Sequence, residues 1–135
     1  MLREPPSFDA VGIVVTDMAR SLEFYRLFGL DFPEDAEDES HVEARLPSGM
    51  RIMLDTVALM QSIDADFQMP DSRAAMTLAF LCSSPAAVDM LHATVVEAGF
   101  DSHLEPFDAF WGQRYATVLD PDGTHLDLFA TLEAA

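Results

Sequence analysis

The fold of this chain is decided by one stretch of sequence, Trp111-Gly-Gln-Arg-Tyr-Ala-Thr-Val-Leu-Asp-Pro-Asp-Gly-Thr-His-Leu-Asp-Leu-Phe129. Two alternating runs, 115–119 and 124–129, flank the turn sequence Asp120-Pro-Asp-Gly123. Pro121 presets φ at the second turn position, and Gly123 accepts the positive φ that follows. The pattern therefore predicts a β-hairpin.

The same plan of strand, Pro/Gly turn and strand occurs upstream, where Arg45-Leu-Pro-Ser-Gly49 precedes the apolar run 50–55. Residues 8–16 are rich in β-formers, and Asp17 is placed to cap a helix that ends at Gly29. Three further strands are predicted, at residues 30–32, 41–46 and 50–56. Residues 8–56 thus form a first module with the order β-α-β-β-β.

The second half of the chain repeats this order, so a second module is predicted over residues 75–130. Residues 76–82 are predicted to be a strand, and Ser84 followed by Pro85 opens a helix that runs to Gly99. The remaining strands are predicted at residues 100–106, 113–119 and 124–129. The apolar linker 57–74 is predicted to pack as a lid, a short helix or a dimer contact.

The chain has 135 residues and is predicted to form one domain. Its composition limits the partners and the compartment that can be expected. The net charge of −17 repels phosphate backbones and anionic lipids, so neither nucleic acid nor a membrane is predicted as a partner. The acidic run 31–39 is typical of a solvated loop. The single cysteine, Cys82, is expected to be a buried thiol. With no apolar leader or spanning run, we expect a cytoplasmic protein.

The order of these motifs resembles that of the vicinal oxygen chelate superfamily, which includes glyoxalases, bleomycin-resistance proteins and extradiol dioxygenases. The resemblance rests on Val11-Gly-Ile-Val-Val-Thr-Asp17 leading into Ser21-Leu-Glu-Phe-Tyr25 and Gly29-Leu30, and on residues 115–128. It covers residues 8–129 and implies an α+β fold in which two tandem βαβββ modules form a half-open β barrel with helices outside. It also implies a homodimer, in which a barrel can take one module from each chain.

Enzymes of the superfamily hold a divalent metal at four strand positions, and the resemblance places these positions at Ala10, Met53, Thr77 and Asp127. Methyl, thioether and hydroxyl groups cannot replace imidazole or carboxylate as ligands for such an ion. Only Asp127 could bind a metal, so we predict that the metal site of the family is absent and that no cofactor is bound.

Two histidine and acid pairs leave an alternative metal site open, because residues at i and i+2 share one face of a strand. The pairs are His41 with Glu43 and His125 with Asp127. If their strands were neighbours, the four groups could converge on a metal. In the competing interpretation, each pair only marks a polar strand face with local hydrogen bonds.

Strand parity and the aromatic run before the hairpin together define a predicted ligand-binding set on the concave side of the barrel. No catalytic residue is predicted. The set consists of Phe8, Ala10, Arg51, Met53, Asp55, Phe107, Phe110, Trp111, Gln113, His125, Asp127 and Phe129.

These observations predict a metal-free protein that sequesters a bulky aromatic small molecule, in the manner of the bleomycin-resistance proteins that the chain resembles. The acidic surface favours a cationic ligand such as an antibiotic. Two alternatives remain open. One is an enzyme, either a lyase, isomerase or oxygenase with atypical metal ligands or a metal-free enzyme that uses Asp127 or His125 as general base. The other is a subunit whose pocket is vestigial.

Overall fold

The computed structural model describes residues 3–133, which form two mixed sheets and three helices. The helices are α1 (Met18–Arg26), α2 (Val57–Ile63) and α3 (Pro85–Glu97). The strands are β1 (Ala10–Val15), β2 (His41–Arg45), β3 (Arg51–Thr56), β4 (Thr77–Leu81), β5 (Asp101–Ala109), β6 (Gln113–Leu119) and β7 (His125–Thr131). The predicted α+β class is therefore confirmed.

Each sheet is built from one half of the chain, and the two share a topology. The first has the order β1-β3-β2 and the second the order β4-β7-β6-β5. In both, the first strand runs parallel to the last, and the remaining pairs are antiparallel. The two sheets share no strand pairing within the described part of the chain.

The strand predicted at residues 30–32 is wrong, so the first sheet has three strands where the pattern predicted four. The amide of Phe32 donates to the carbonyl of Leu30 (3.2 Å), which closes a tight turn in place of a ladder. Pro33 has no N–H to donate to a neighbouring strand. Phe32 instead buries its ring in the core, and the segment continues into the exposed acidic loop.

Both predicted helix caps are confirmed. The Asp17 side chain accepts a hydrogen bond from the amide of Arg20 (3.1 Å), and Ser84 Oγ accepts one from Ala87 (3.1 Å), with Pro85 at the first helical position. The first part of the linker forms the short helix α2, with Thr56 as its cap. Of the three linker interpretations, the short helix therefore holds for residues 57–63.

One core packs against the inner face of both sheets. Alternate residues of β1, β3, β6 and β7 point inward and meet the buried sides of α1 and α3. The inward residues include Ile13, Val15, Ile52, Leu54, Ala116, Val118, Leu126 and Leu128. The opposite face of each sheet carries the polar and aromatic residues of the candidate site.

The single thiol, Cys82, is half-buried, and burial raises its pKa. No helix among residues 3–133 is long and apolar enough to cross a bilayer.

The predicted hairpin is confirmed, and its turn also joins the two halves of the chain. Asp120 is only 4% exposed, and its carboxylate accepts hydrogen bonds from the amides of Asp122 (2.9 Å) and Thr124 (2.8 Å). The other oxygen accepts one from the Tyr25 hydroxyl of α1 (2.6 Å). The Asp122 carboxylate binds the hydroxyl of Thr16 just before α1 (2.6 Å). The turn is therefore fixed to α1 by Asp120 and to the β1–α1 connection by Asp122.

Tyr25 acts as a neutral donor in this contact. Burial, followed by the charge of Asp120 and their hydrogen bond, raises the pKa of Tyr25 well above its ordinary value of 10.0. The ring is fully buried and packs edge-to-face on Phe24 at 5.0 Å between centroids. The hydroxyl therefore stays protonated and holds the Asp120 carboxylate.

Removing this hydroxyl should destabilise the fold. Tyr25→Phe leaves a buried carboxylate oxygen without its donor, so we expect the free energy of unfolding to fall by about 1–3 kcal/mol. Urea unfolding followed by circular dichroism measures the change. The matched control is Tyr115→Phe, at the other tyrosine of the chain, which should cost no more than about 1 kcal/mol. Equal losses for the two variants would contradict the role assigned to Tyr25.

Candidate functional site

The outward face of the first sheet carries a chain of ion pairs, which we call the charged face: Asp9, His41, Glu43, Arg51, Met53 and Asp55. Arg51 donates to the carboxylates of Glu43 (2.8 Å) and Asp9 (2.6 Å). His41 lies between two acids, with Nδ1 at 2.5 Å from Asp55 Oδ1 and Nε2 at 3.0 Å from Glu43 Oε2. Strand register explains the arrangement, since His41 pairs with Asp55 and Glu43 with Met53.

These contacts shift the pKa values of the paired groups in the directions that are expected for ion pairs. The hydrogen bond to Asp55, followed by that to Glu43, raises the pKa of His41 above 6.5. The hydrogen bond from His41, followed by that from Arg51, lowers the pKa of Glu43. Arg51 and Asp55, predicted as anchors for a ligand, are thus already paired within the chain. His41 and Glu43 complete the network. From the sequence, this pair could be either metal ligands or a polar strand face with local hydrogen bonds, and the contacts here are of the second kind.

The outward face of the second sheet carries an aromatic group, which we call the aromatic face: Phe107, Phe110, Trp111, Tyr115 and Phe129, with the polar residues Thr117, His125 and Asp127. Strand pairing sets Phe107, Tyr115 and Phe129 side by side across β5, β6 and β7. The Trp111 ring meets three others edge-to-face, at centroid distances of 5.1 Å to Phe110, 5.3 Å to Tyr115 and 6.3 Å to Phe107.

Exposure separates this group from an ordinary core cluster. Phe110 is 98% exposed and Trp111 is 48% exposed, so the rim of the aromatic face lies open to solvent. Trp111 Nε1 donates to Gln113 Oε1 (2.8 Å), which fixes the indole ring beside the β5–β6 turn. A flat ring held in place and partly solvated has apolar area available for a ligand.

The polar part of the aromatic face lies beside the rings. Asp127 is half-buried, and its Oδ1 accepts a hydrogen bond from the Thr117 hydroxyl (2.9 Å). Burial, followed by interaction with the Asp127 carboxylate, raises the pKa of Tyr115. The His125 ring lies 4.7 Å from that of His103. Sequence reasoning missed Tyr115 and His103. Tyr115 could have been found from its alternation with Gln113, whereas two register shifts in β5 obscure His103.

The structure divides the predicted ligand-binding set between the two faces. Ala10, Arg51, Met53 and Asp55 lie on the first sheet, and Phe107, Gln113, His125, Asp127 and Phe129 lie on the second. Phe110 and Trp111 form the turn between β5 and β6. Phe8 precedes β1 and is 75% exposed, so its predicted place within the first strand is wrong. The described chain leaves the two faces on separate sheets.

The four positions where the family carries metal ligands are equivalent in the two sheets. Ala10 pairs with Arg51, two residues before Met53, and Thr77 pairs with His125, two residues before Asp127. The side chains present are nevertheless a methyl, a thioether, a hydroxyl and one carboxylate. Thr77 Oγ1 donates to the His125 carbonyl (3.2 Å), and Asp127 is held by Thr117. This donor set does not fit a divalent metal.

The alternative metal site required β2 and β7 to be neighbours. β2 is an edge strand of the first sheet and β7 belongs to the second, so the two histidine and acid pairs do not adjoin. Among residues 3–133 no group of three or more His, Cys, Asp or Glu side chains is arranged to hold a metal ion. The interpretation of local polar hydrogen bonds describes His41 and Glu43 directly.

The chain has two repeated modules with matching strand registers, and each module carries site residues on its outward face. A family match agrees with this architecture. The Glyoxalase/Bleomycin resistance protein/Dioxygenase superfamily matches residues 7–128. The chain therefore belongs to this superfamily. No curated protein is detectably similar to it.

Solved structures show the same fold at low sequence identity. A glyoxalase-related enzyme from Fulvimarina pelagi superposes with a TM-score of 0.79 at 19% identity, covering 93% of this chain and 88% of that one. A glyoxalase/bleomycin resistance protein/dioxygenase from Nocardioides gives 0.75 at 21% identity, covering 99% and 89%. A protein of unknown function from Agrobacterium tumefaciens gives 0.71 at 27% identity, covering 96% and 97%.

The charged face should respond to pH through His41. Because folding raises the pKa of this histidine above 6.5, its contribution to stability is complete below pH 6.5 and is lost as pH rises through the folded pKa. We therefore expect His41→Gln to destabilise the protein more at about pH 6 than at about pH 9. Urea unfolding at each pH measures this.

An NMR titration of His41 tests the cause directly. Asp55→Asn should move the pKa of His41 down toward 6.5, because Asp55 supplies the largest stabilisation of the charged ring. Asp38→Asn, in the exposed acidic loop, makes the same change in net charge and should leave the titration in place. If the pKa of His41 is the same in Asp55→Asn as in the wild-type protein, the ion-pair chain does not form.

Proposed function

We propose that this protein binds a bulky, largely aromatic small molecule on the aromatic face, and does so without a metal. The observation that carries the proposal is the solvent-open cluster of edge-to-face rings around Trp111, next to the half-buried carboxylate of Asp127. The replacement of three of the four ligand positions of the superfamily by Ala10, Met53 and Thr77 supports binding in place of metal-assisted chemistry.

Apolar burial would supply most of the affinity. A conjugated ligand laid against Trp111 and Phe110 removes ring surface from water, and each aromatic side chain that is fully buried contributes about 1.5–3 kcal/mol. Asp127, His125 and Gln113 provide a small number of polar groups at the edge of the rings, which is the usual composition of a small-molecule site.

The charge of the protein favours a cationic ligand. The chain carries a net charge of −17, and Asp127 places one carboxylate within the aromatic face. An indole ring also attracts a cation held over its face. Screening limits the long-range contribution to about 8 Å at physiological salt, so the local Asp127 carboxylate matters more than the surface field.

We further propose that a second copy of the chain completes the site. The aromatic face is open on its outward side, and the charged face of the same chain belongs to a separate sheet. In a homodimer, the charged face of one copy would cover the aromatic face of the other and enclose the ligand between them. Sequestration of an antibiotic in the cytoplasm would then require only affinity and enough protein, with no reaction.

The single tryptophan of the chain makes a direct binding assay possible, because Trp111 lies in the proposed site. Metal-free bleomycin serves as the first aromatic, cationic probe. Saturable quenching of tryptophan fluorescence and a rise in melting temperature are expected. By calorimetry, Trp111→Ala should weaken binding about tenfold or more, because loss of one buried aromatic contact is worth at least about 1.4 kcal/mol.

Met90→Ala is the matched control, since Met90 is an exposed apolar side chain on α3 (71% exposed) and lies away from both faces. It should leave the affinity unchanged. His125→Asn and Asp127→Asn should lower the affinity only in part. If the protein instead turns over a substrate, and these two substitutions abolish turnover, the binding proposal is wrong and the protein is an enzyme.

A further inference from the structure

A cavity lies between the edge strands β1 and β4, and no residue of the predicted ligand-binding set lines it. Its volume is about 250 Å³. β1 contributes Val11 and Ile13, β4 contributes Leu78, and residues 70–76, just before β4, form another wall. The lining is mostly apolar, with three polar exceptions, Ser72, Arg73 and Thr124.

The Thr124 hydroxyl is the first sign that this cavity suits a ligand. Thr124 is 7% exposed, and its Oγ1 has no hydrogen-bond partner within the described chain. Buried hydroxyls are normally satisfied, because an unpaired one loses its hydration without compensation. Thr124 also lines the cavity, so rotation about its Cα–Cβ bond would turn the hydroxyl toward a ligand oxygen there.

Arg73 is the second sign. It is half-buried, and its Nη1 donates to the backbone carbonyl of Val14 (2.6 Å). Four of the seven arginines, Arg20, Arg26, Arg51 and Arg114, pair with a carboxylate. Arg73 has no carboxylate within 4.0 Å among residues 3–133, although the chain has 24 acidic residues. A guanidinium that lines an apolar cavity and makes no ion pair is suited to hold a carboxylate from a ligand.

We propose that this cavity binds a small monocarboxylate with a short apolar chain. The carboxylate contacts the guanidinium of Arg73 and the hydroxyl of Thr124, and the chain lies against Val11, Ile13 and Leu78. The volume equals that of about eight water molecules, which suits a ligand of this size and not a bulky aromatic one. The proposal is independent of the function assigned to the aromatic face.

Hexanoate is the probe, with its uncharged methyl ester as the chemical control. Calorimetry and backbone amide NMR should show saturable binding of hexanoate, with shifts at Gly12, residues 71–76 and Thr124. The ester should bind at least tenfold more weakly, because it lacks the charge that pairs with Arg73. Trp111→Ala should leave hexanoate binding unchanged, which separates this test from that of the proposed function.

Three variants test the assignment of contacts. Arg73→Gln should weaken hexanoate binding about tenfold or more, whereas Arg45→Gln should not. Arg45 is the matched control because it also donates only to a backbone carbonyl, that of Gly49. Thr124→Val should weaken binding several-fold without lowering the melting temperature, since its hydroxyl has no partner to lose. Ala75→Phe adds a ring at an exposed position on the cavity wall and should block binding.

The proposal is overturned if hexanoate gives no saturable binding to the wild-type protein. It is also overturned if Arg73→Gln and Arg45→Gln affect binding equally, or if the amide shifts map to β6 and β7 near Trp111. Retained binding in Ala75→Phe would show that the ligand lies elsewhere.

Discussion

The buried carboxylate of Asp120 is the contact on which the two halves of this molecule depend. It accepts two amides of its own turn and the hydroxyl of Tyr25, so one side chain orders the β6–β7 hairpin and holds α1 against it. A carboxylate at 4% exposure would be costly without such donors. With Asp122 bound to Thr16, the turn fixes the position of the first sheet relative to the second.

This connection holds together two sheets of similar topology and different surface chemistry. The same register offset relates Ala10 to Met53 and Thr77 to Asp127, which is the geometry expected of an internal repeat. The outward side chains have nevertheless diverged. One face is a chain of ion pairs centred on Arg51 and His41, and the other is a group of aromatic rings with a single carboxylate at Asp127. The ligand binding that we propose falls on the second of these faces.

Much of the fold could be predicted because local rules and tertiary structure agree. The Asp-Pro-Asp-Gly turn, the caps at Asp17 and Ser84, and the bounds of β6 follow from turn and capping chemistry. The strand predicted at residues 30–32 failed because Phe32 is held by the core and Pro33 cannot join a ladder. The bulges of β5 depend on its pairing with β6, and no sequence pattern within β5 predicts them.

For the candidate site, the sequence predicted which face of each sheet the residues lie on, but not which residues contact one another. Strand parity identified Arg51, Met53, Asp127 and Phe129 as outward residues, but it could not show that Arg51 and Asp55 pair with Glu43 and His41. Those partners come from cross-strand register. The cavity at Arg73 and Thr124 depends on the path of the linker between the sheets, which has no periodic signal in the sequence.

The central claim is that this member of the superfamily works without a metal, and elemental analysis of the purified protein tests it most directly. The protein would be produced in medium supplemented with Ni²⁺, Zn²⁺, Mn²⁺ and Fe²⁺ and then desalted before metal content is measured against protein concentration. The account predicts only trace, substoichiometric metal. One metal ion per chain, lost on substitution of Asp127, would contradict it and place metal chemistry at the centre of the function.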